Sequence, residues 1–361
     1  MKKLVILMSV LVLFVGLGAA TFDISGEGRT RAVFANDASE NDGSWIDGKV
    51  NLFLGSQLHE NLNIKMQAEI GDFVWGNGGA SLGTAENIKL KEAYVDYAIN
   101  AIDAKIKFGL MEWGDRSGLV LDDSFAGFIL SKEFGESINT EFGFIKSNEG
   151  WKYSDDDDTA LMLNFGMDGN IPFGVYAFAR FNSLTDDSNY TLMPYVALDF
   201  EPVTLDLTAF MDIQNDGNNT DFGMGGLVRA GLDLDMFEVT ADVLLATENG
   251  LTTISPYYQN GLYIYGYGAH HDGLNLLWGE PYENNNDFFM SLVGGLKANI
   301  SEKFRAFGNA GYLIDTGIEL NAGVEYEIIP DLFDIAGYGA FGIGDNDVNN
   351  YAIGTTLKLK F

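Results

Sequence analysis

Residue types that commonly perform catalysis are scarce in this chain. It contains three histidines, at positions 59, 270 and 271, and no cysteine. Nucleophilic catalysis needs an activated nucleophile with a base within reach, and no serine elbow between a strand and a helix is visible. His270 and His271 are adjacent, so on a strand their rings would point to opposite faces, which is poor geometry for chelating a metal. The sequence therefore predicts a protein that is not an enzyme.

Carboxylates are the most abundant charged groups. The chain carries 52 Asp and Glu against 21 Lys and Arg, a formal net charge of −31. Such a field repels nucleic acid and favours cations, so we expect no nucleic-acid partner. The run Asp155–Asp158 offers the oxygen ligands that Ca²⁺ prefers, but its spacing matches no calcium loop. We expect no cofactor, with Ca²⁺ at such acidic loops as the alternative.

The first twenty residues have the pattern of a secretory signal peptide. Lys2 and Lys3 precede an apolar stretch that ends at the small residues Gly18, Ala19 and Ala20. We expect residues 1–20 to be removed and residues 21–361 to form a single domain. Its charge would then be −33, since (21 − 2) − 52 = −33. No later apolar run reaches the length of a transmembrane helix.

Apolar and polar residues alternate with a period of two along the rest of the chain. In one segment, Leu205 and Leu207 alternate with Asp206 and Thr208. Successive side chains of a strand point to opposite faces, so each predicted strand has one apolar and one polar face. Merging one hairpin would give 16 strands, but we count about 18, at residues 22–35, 46–58, 62–73, 88–98, 103–112, 125–133, 138–147, 158–167, 172–183, 190–200, 203–213, 222–234, 237–247, 287–299, 303–314, 318–328, 333–343 and 350–361.

Three features favour a membrane barrel over a secreted sandwich. Tight turns alternate with longer polar loops, as periplasmic turns alternate with outer loops in such barrels. The chain ends in an alternating strand that closes on Phe361. Aromatic residues gather at predicted strand ends, as interfacial belts require, with Phe22, Tyr97, Phe134, Phe173 and Phe200 on the turn side and Trp45, Trp113, Phe181, Phe222 and Phe341 on the loop side. The predicted fold is all-β, a transmembrane antiparallel up-and-down β-barrel.

Two stretches resemble known outer-membrane proteins. The closing strand YAIGTTLKLKF resembles the last strand of bacterial outer-membrane barrels, which the barrel-assembly machinery reads. This resemblance implies that Phe361 is part of an assembly signal and that the protein is embedded in outer-membrane lipid. The tract EAYVDYAINAIDAKIKFGLMEWGDRSG, residues 92–118, resembles the tract before the third loop of trimeric porins. The acidic, cysteine-free and arginine-poor composition is also similar to that of outer-sheath porins of thermophilic bacteria. These resemblances imply a porin that forms a homotrimer.

In trimeric porins the third loop folds inward and narrows the pore. By that resemblance, the segment after the fifth strand would line a constriction, although an ordinary surface hairpin is the alternative. The implied constriction residues are Glu112, Asp115, Arg116, Asp122 and Asp123, opposed by Arg29, Arg31 or Arg180. The chain has only six arginines, which is fewer than the arginine ladder of those porins requires.

The predicted function is passive, weakly cation-selective diffusion of ions and small hydrophilic solutes through a charged lumen. One alternative is a solute-specific channel for carbohydrates, in which the tyrosine-rich loop 248–286 stacks on sugars. A second alternative is a non-conducting structural or adhesive barrel. We expect loop 248–286 to pack over the barrel mouth, and the sequence does not identify the physiological solute.

Overall fold

The computed structural model describes residues 21–36, 42–74, 88–135, 137–148, 158–183, 185–266, 282, 287–344 and 349–361. These residues form eighteen strands in one antiparallel sheet. The strands are β1 (Thr21–Asn36), β2 (Asp42–His59), β3 (Leu62–Val74), β4 (Ile88–Ile99), β5 (Ala104–Gly114), β6 (Asp122–Phe134), β7 (Ile138–Asn148), β8 (Asp158–Met167), β9 (Phe173–Asn182), β10 (Asp187–Phe200), β11 (Val203–Asn215), β12 (Thr220–Leu234), β13 (Phe237–Ala246), β14 (Phe289–Asn299), β15 (Phe304–Leu313), β16 (Gly317–Ile329), β17 (Phe333–Gly344) and β18 (Asn349–Lys360).

Each strand pairs with its sequence neighbours, and β18 pairs with β1, so the sheet closes into an up-and-down barrel. The predicted fold class and strand number are confirmed. The largest difference in a strand boundary is at β2, which begins at Asp42 instead of residue 46. The predicted signal peptide, residues 1–20, lies outside the described residues. In the part of the chain that the structure describes, no helix has the length and hydropathy needed to span a membrane.

The two faces of the strands separate lipid from lumen. On β11, Met211 is 44% exposed on the outer face, whereas the neighbouring Asp212 is buried inside the barrel. The outer faces of the other strands are apolar in the same way, with exposed side chains such as Leu163, Leu292 and Leu320. A membrane barrel turns such an apolar band towards lipid and a polar surface towards its lumen.

The closing seam joins the first strand to the last residue. The N–H of Gly26 donates to the carbonyl of Phe361 at 2.7 Å, and the N–H of Phe361 donates to the carbonyl of Gly26 at 2.9 Å. The Phe361 ring covers Gly26, where a Cβ atom would lie only 2.4 Å from the ring. The terminal phenylalanine is therefore part of the ladder that closes the barrel.

Two tryptophans assigned to the loop-side belt point into the lumen. The indole N–H of Trp45 donates to Asp47 at 3.0 Å, and that of Trp113 donates to Glu141 at 3.2 Å. Both rings pack against the buried cluster inside the barrel. The belt assignment of Trp45 and Trp113 is therefore wrong, because the acceptor that each buried indole N–H needs lies on the lumen side.

Candidate pore constriction

The loop between β5 and β6, residues 115–121, folds into the barrel around one carboxylate. Asp115 is buried and accepts the backbone N–H groups of Ser117 at 2.9 Å, Val120 at 2.9 Å and Leu121 at 3.0 Å, as well as the hydroxyl of Ser117. Buried N–H groups need acceptors, and here a single side chain supplies them. Leu119, Val120 and Leu121 are at most 1% exposed, so the loop is packed inside the barrel.

This β5–β6 loop is joined to the loop between β13 and β14, residues 247–288. Leu121 and Ser255 form a parallel β-bridge, and the N–H of Ile254 donates to the carbonyl of Val120 at 2.8 Å. Further along, the N–H of Tyr257 donates to the carbonyl of Gly118 at 3.0 Å. The β5–β6 loop and residues 254–257 of the β13–β14 loop therefore form one unit within the lumen.

Two carboxylates of the barrel wall hold the β13–β14 loop. Asp212 on β11 accepts the N–H of Thr252 at 2.9 Å and its hydroxyl at 2.6 Å. Glu319 on β16 accepts the N–H groups of Tyr263 at 2.7 Å, Ile264 at 2.9 Å and Tyr265 at 2.9 Å. Both carboxylates are fully buried. Hydrogen bonds to an ionised acceptor are among the stronger ones in proteins, so these contacts fix the loop to the wall at two places that are five strands apart.

Two arginines add further attachments to the wall. Arg180 on β9 pairs with Asp158 at 2.7 Å and donates to the carbonyl of Thr253 at 2.8 Å. Arg229 on β12 pairs with Asp242 at 2.8 Å and donates to the carbonyl of Gln259 at 2.9 Å. Each guanidinium thus bridges a wall carboxylate and the loop backbone, using the fork of donors that arginine provides.

The loop fills space that would otherwise be open lumen. Tyr258, Leu262 and Ile264 are at most 1% exposed, and the Tyr258 hydroxyl donates to Asp242. The ring of Tyr263 stacks on Tyr338 of β17 with centroids 4.5 Å apart. Burial raises the pKa of the Tyr258 hydroxyl well above its usual range, with the neighbouring Asp242 carboxylate acting in the same direction. The interior of the barrel is therefore a packed core on this side.

The remaining wall, β1–β5, faces the loops with basic side chains. The inward-facing members are Arg29, Arg31, Lys49, Lys65, Lys89, Lys91, Lys105 and Lys107. Several of them are paired within the wall. Arg31 Nε lies 3.0 Å from Asp47, Arg29 lies 3.6 Å from the same carboxylate, and Lys89 lies 3.3 Å from Glu69.

Tyr257 lies at the boundary between the loops and this basic wall. Its side chain is partly exposed. Burial raises the pKa of the Tyr257 hydroxyl, while the nearby guanidinium groups of Arg29 and Arg31 oppose the rise and the carboxylate of Asp122 reinforces it. The phenol therefore lies within electrostatic range of groups of both signs. Tyr257 therefore marks the place where the two loops approach the basic wall of β1–β5.

The structure brings the acidic residues of the expected constriction together. Glu112, Asp115 and Asp123 lie within electrostatic range of Asp122. Asp123 also accepts the hydroxyl of Ser255 at 2.9 Å and lies 3.4 Å from Lys91. Of the basic residues, Arg29 and Arg31 lie within electrostatic range of Tyr257 and pair with Asp47. Arg180 is held by Asp158 and Thr253, and Arg116 pairs with Asp206 on β11 at 2.6 Å.

A metal site is not evident in the described ranges, where no three His, Asp or Glu side chains form a group that could hold an ion. Of the acidic run, Asp158 begins β8 and pairs with Arg180. Asp155, Asp156 and Asp157, proposed as calcium ligands, lie outside the described residues, as do His270 and His271.

Sequence reasoning missed the role of the wall carboxylates. Asp212 and Glu319 fall on the polar face of alternating strands, which predicts a lumen position but not a partner. The available signal is the composition of the loop, because LTTISPYYQNGLYIYG, residues 251–266, is far richer in apolar and aromatic residues than an exposed loop needs. Such a segment must be covered, and the described residues are covered inside the barrel.

Comparisons with known proteins point to one class of fold. No protein-family model matches the chain, and no curated protein does either. Among solved structures, OpdO of Pseudomonas aeruginosa matches over 94% of this chain and 97% of its own, with a TM-score of 0.68 and 12% identity. The chain has the fold of outer-membrane porins. OccAB1 of Acinetobacter baumannii shares this porin fold, with a TM-score of 0.62 and 9% identity over 94% of this chain and 96% of its own. So does OpdK of Pseudomonas aeruginosa, solved with vanillate, with a TM-score of 0.60 and 10% identity over 94% of this chain and 98% of its own.

Proposed function

We propose that this protein is a selective outer-membrane channel for small hydrophilic solutes. The observation that supports this proposal is the pair of lumen loops, held by Asp115, Asp212 and Glu319, beside the basic wall of β1–β5. An 18-stranded barrel is wide enough for an open aqueous channel. Packed loops on one side leave a narrower, charged passage on the other, which favours selection by size and charge over unrestricted flow.

The test is conductance of the purified protein in planar bilayers. We expect the wild-type channel to conduct less than a variant in which residues 253–281 are replaced by a short Gly-Ser linker, since the linker removes the core of the β13–β14 loop. A wild-type conductance equal to that of the variant would contradict a loop-defined constriction. Zero conductance from both proteins, when correctly folded, would favour the structural or adhesive barrel.

The proposed charge preference is weak cation selectivity. It is supported by the net charge of −31 and by the pairing of the basic wall, where Arg29 and Arg31 share Asp47 and Lys89 pairs with Glu69. Paired cations present little net field to a permeating ion, so the excess of carboxylates sets the sign. The reversal potential across a salt gradient measures this preference directly.

A solute-specific channel is the second candidate, and one cluster favours it. Tyr176 on β9 and Tyr195 on the neighbouring β10 point into the lumen with their rings stacked at 5.0 Å, and Trp113 reaches Tyr176 edge-on at 5.8 Å from β5, across the barrel interior. Aromatic faces can stack on flat or ring-shaped solutes. If the channel is specific for carbohydrates, maltose should block single-channel current at concentrations where sorbitol does not.

We further propose that the protein forms homotrimers in outer-membrane lipid after insertion by the barrel-assembly machinery. Small outward-facing residues on β1, Gly28 and Ala32, would allow close approach of a neighbouring barrel. The mass of the detergent-extracted protein, measured with bound detergent subtracted, should equal that of three chains. A mass that fits only one chain would reject the trimer and leave the channel proposal intact.

A further inference from the structure

Below the β13–β14 loop, the wall of β11–β14 borders a cavity of about 380 Å³ on the turn side of the barrel. Its charged lining consists of Asp206, Arg229, Glu238, Asp242 and Lys297. All five side chains lie on the inward face of their strands, and the loop segment around Gln259 covers them from above. The cavity therefore forms a vestibule between the constriction and the turn side.

The vestibule charges occur as pairs of opposite sign. Arg229 Nε lies 2.8 Å from Asp242 Oδ2, and Lys297 Nζ lies 3.5 Å from Glu238 Oε2. The second pair is the more accessible, since the Glu238 side chain is 46% exposed and the Lys297 side chain 30% exposed. The lining thus has charge of both signs at contact distance, and the Glu238–Lys297 pair is open to water.

A row of alternating charges continues across the strands. Asp206 is the register partner of Arg229, and Arg229 is the register partner of Asp242. Arg116, from the β5–β6 loop, reaches Asp206 through two hydrogen bonds, at 2.8 and 2.6 Å. The order along this row is positive, negative, positive, negative. The vestibule has strong local fields but almost no net charge.

We propose that this vestibule binds small zwitterionic solutes that carry an ammonium and a carboxylate group, and so favours their passage. The inference rests on the channel function proposed above and adds a solute class to it. A zwitterion can exchange partners with a wall pair, placing its carboxylate on Lys297 and its ammonium on Glu238, so that every charge keeps a partner. An ion of one sign leaves one wall charge without a partner, and a neutral solute gains no ion pair.

The expected preference is modest. A half-exposed ion pair changes an equilibrium constant by no more than about fivefold. A channel also needs binding weak enough for the solute to leave again, which a wet pair provides. At low solute concentration, flux should therefore favour a zwitterion over a neutral molecule of the same size by about two- to fivefold.

The experiment compares uptake of glycine with that of its neutral isomer glycolamide into liposomes that contain the purified protein. The wild-type ratio of the two rates should lie between about two and five. In the double variant Glu238→Gln, Lys297→Met it should fall to about one. The swapped variant Glu238→Lys, Lys297→Glu keeps a pair of opposite charges and should keep the preference. Heat-modifiable migration checks that each variant is folded.

The outcomes separate this inference from the channel proposal. A wild-type ratio of one, or an unchanged ratio in the neutralised variant, overturns the zwitterion site while the channel stands. A swapped variant whose ratio falls to one also overturns it, since packing rather than paired charge would then set the preference. Absence of uptake of both solutes by folded wild-type protein overturns the channel, and this inference with it.

Discussion

The carboxylate of Glu319 accepts the backbone N–H of Tyr263 at 2.7 Å, across 56 residues of chain. The same carboxylate accepts the next two N–H groups of the loop. A β-strand side chain thereby satisfies three consecutive donors that a loop inside a barrel would otherwise leave unpaired. The contact joins the sheet, which sets the diameter of the barrel, to the loop, which we propose narrows the passage.

The first prediction is that Glu319→Gln loosens the β13–β14 loop. The amide retains one oxygen but loses the charge, and its NH₂ group faces backbone donors. Loss of such hydrogen bonds costs about 1–3 kcal/mol, and 1.4 kcal/mol is a tenfold change in an equilibrium. We expect larger and more variable single-channel currents from this variant in planar bilayers.

Glu325→Gln is the matched control for that variant. Glu325 lies on the same strand and pairs with Arg305 at 3.4 Å, without a bond to the loop backbone among the described contacts. The substitution Glu325→Gln therefore removes the same charge from the same face of β16 as Glu319→Gln does. If both variants gave the same change in current, the effect would come from charge alone, and the attachment of the loop by Glu319 would be refuted.

The second prediction concerns Asp115, which organises the β5–β6 loop. Asp115→Asn should release this loop, because an amide oxygen cannot serve the N–H groups of Ser117, Val120 and Leu121 as a carboxylate does. We expect increased protease cleavage near residue 118 in the folded protein. Asp216→Asn is the control. Asp216 caps an exposed outer turn, where asparagine is equally suitable, so its cleavage pattern should match wild type.

The strand pattern of this chain was predictable because each strand has lipid on one face and the lumen on the other. A side chain such as Met211 faces lipid and its neighbour Asp212 faces the lumen, so hydropathy must alternate along the whole strand. The alternation is a poor guide to strand ends, and it is interrupted within β4, where the register shifts opposite Gln67 and Ala68. β2 begins four residues before its predicted start, because Asp42 and Gly43 continue the ladder opposite Asn36 and Ala35 without an apolar side chain of their own to mark the strand.

The constriction was only partly predictable. Proximity in sequence brings Asp115, Asp122 and Asp123 together, so a local motif sufficed to group them. The attachment of residues 251–265 to Asp212 and Glu319 links segments 40 and more residues apart. Alternation marks both carboxylates as lumen-facing, but it carries no information about which loop segment reaches them. Only the three-dimensional structure supplies that pairing.

The third prediction concerns the closing seam. Deletion of Phe361 should lower the amount of folded, heat-modifiable protein in the outer membrane, since it removes two hydrogen bonds to Gly26 and the ring that covers it. Gly26→Val should also lower the folded yield, because its Cβ would lie 2.4 Å from the Phe361 ring and 2.9 Å from the backbone oxygen of Asn51. Gly28→Val, whose Cβ would meet only ordinary contacts at 3.8 Å, should fold at wild-type yield. Equal yields from all four chains would refute a role for Phe361 in assembly.

The last prediction is that cation selectivity is strongest in dilute salt and depends on the carboxylates beside the β5–β6 loop. Screening lengths fall from about 30 Å at 0.01 M to about 3 Å at 1 M, so the reversal potential in a KCl gradient should shrink as salt rises. Asp122→Asn combined with Asp123→Asn removes two negative charges beside the β5–β6 loop, one of them the partner of Lys91, and should shift the reversal potential towards anions. Asp115 is left intact in this variant because it holds the loop.

The control is Asp235→Asn with Asp331→Asn, which removes the same amount of charge at two turns. Both residues have positive φ, which asparagine tolerates, and this variant should shift the reversal potential less. A wild-type channel that prefers chloride in dilute salt would show that the basic wall, and not the excess of carboxylates, controls permeation.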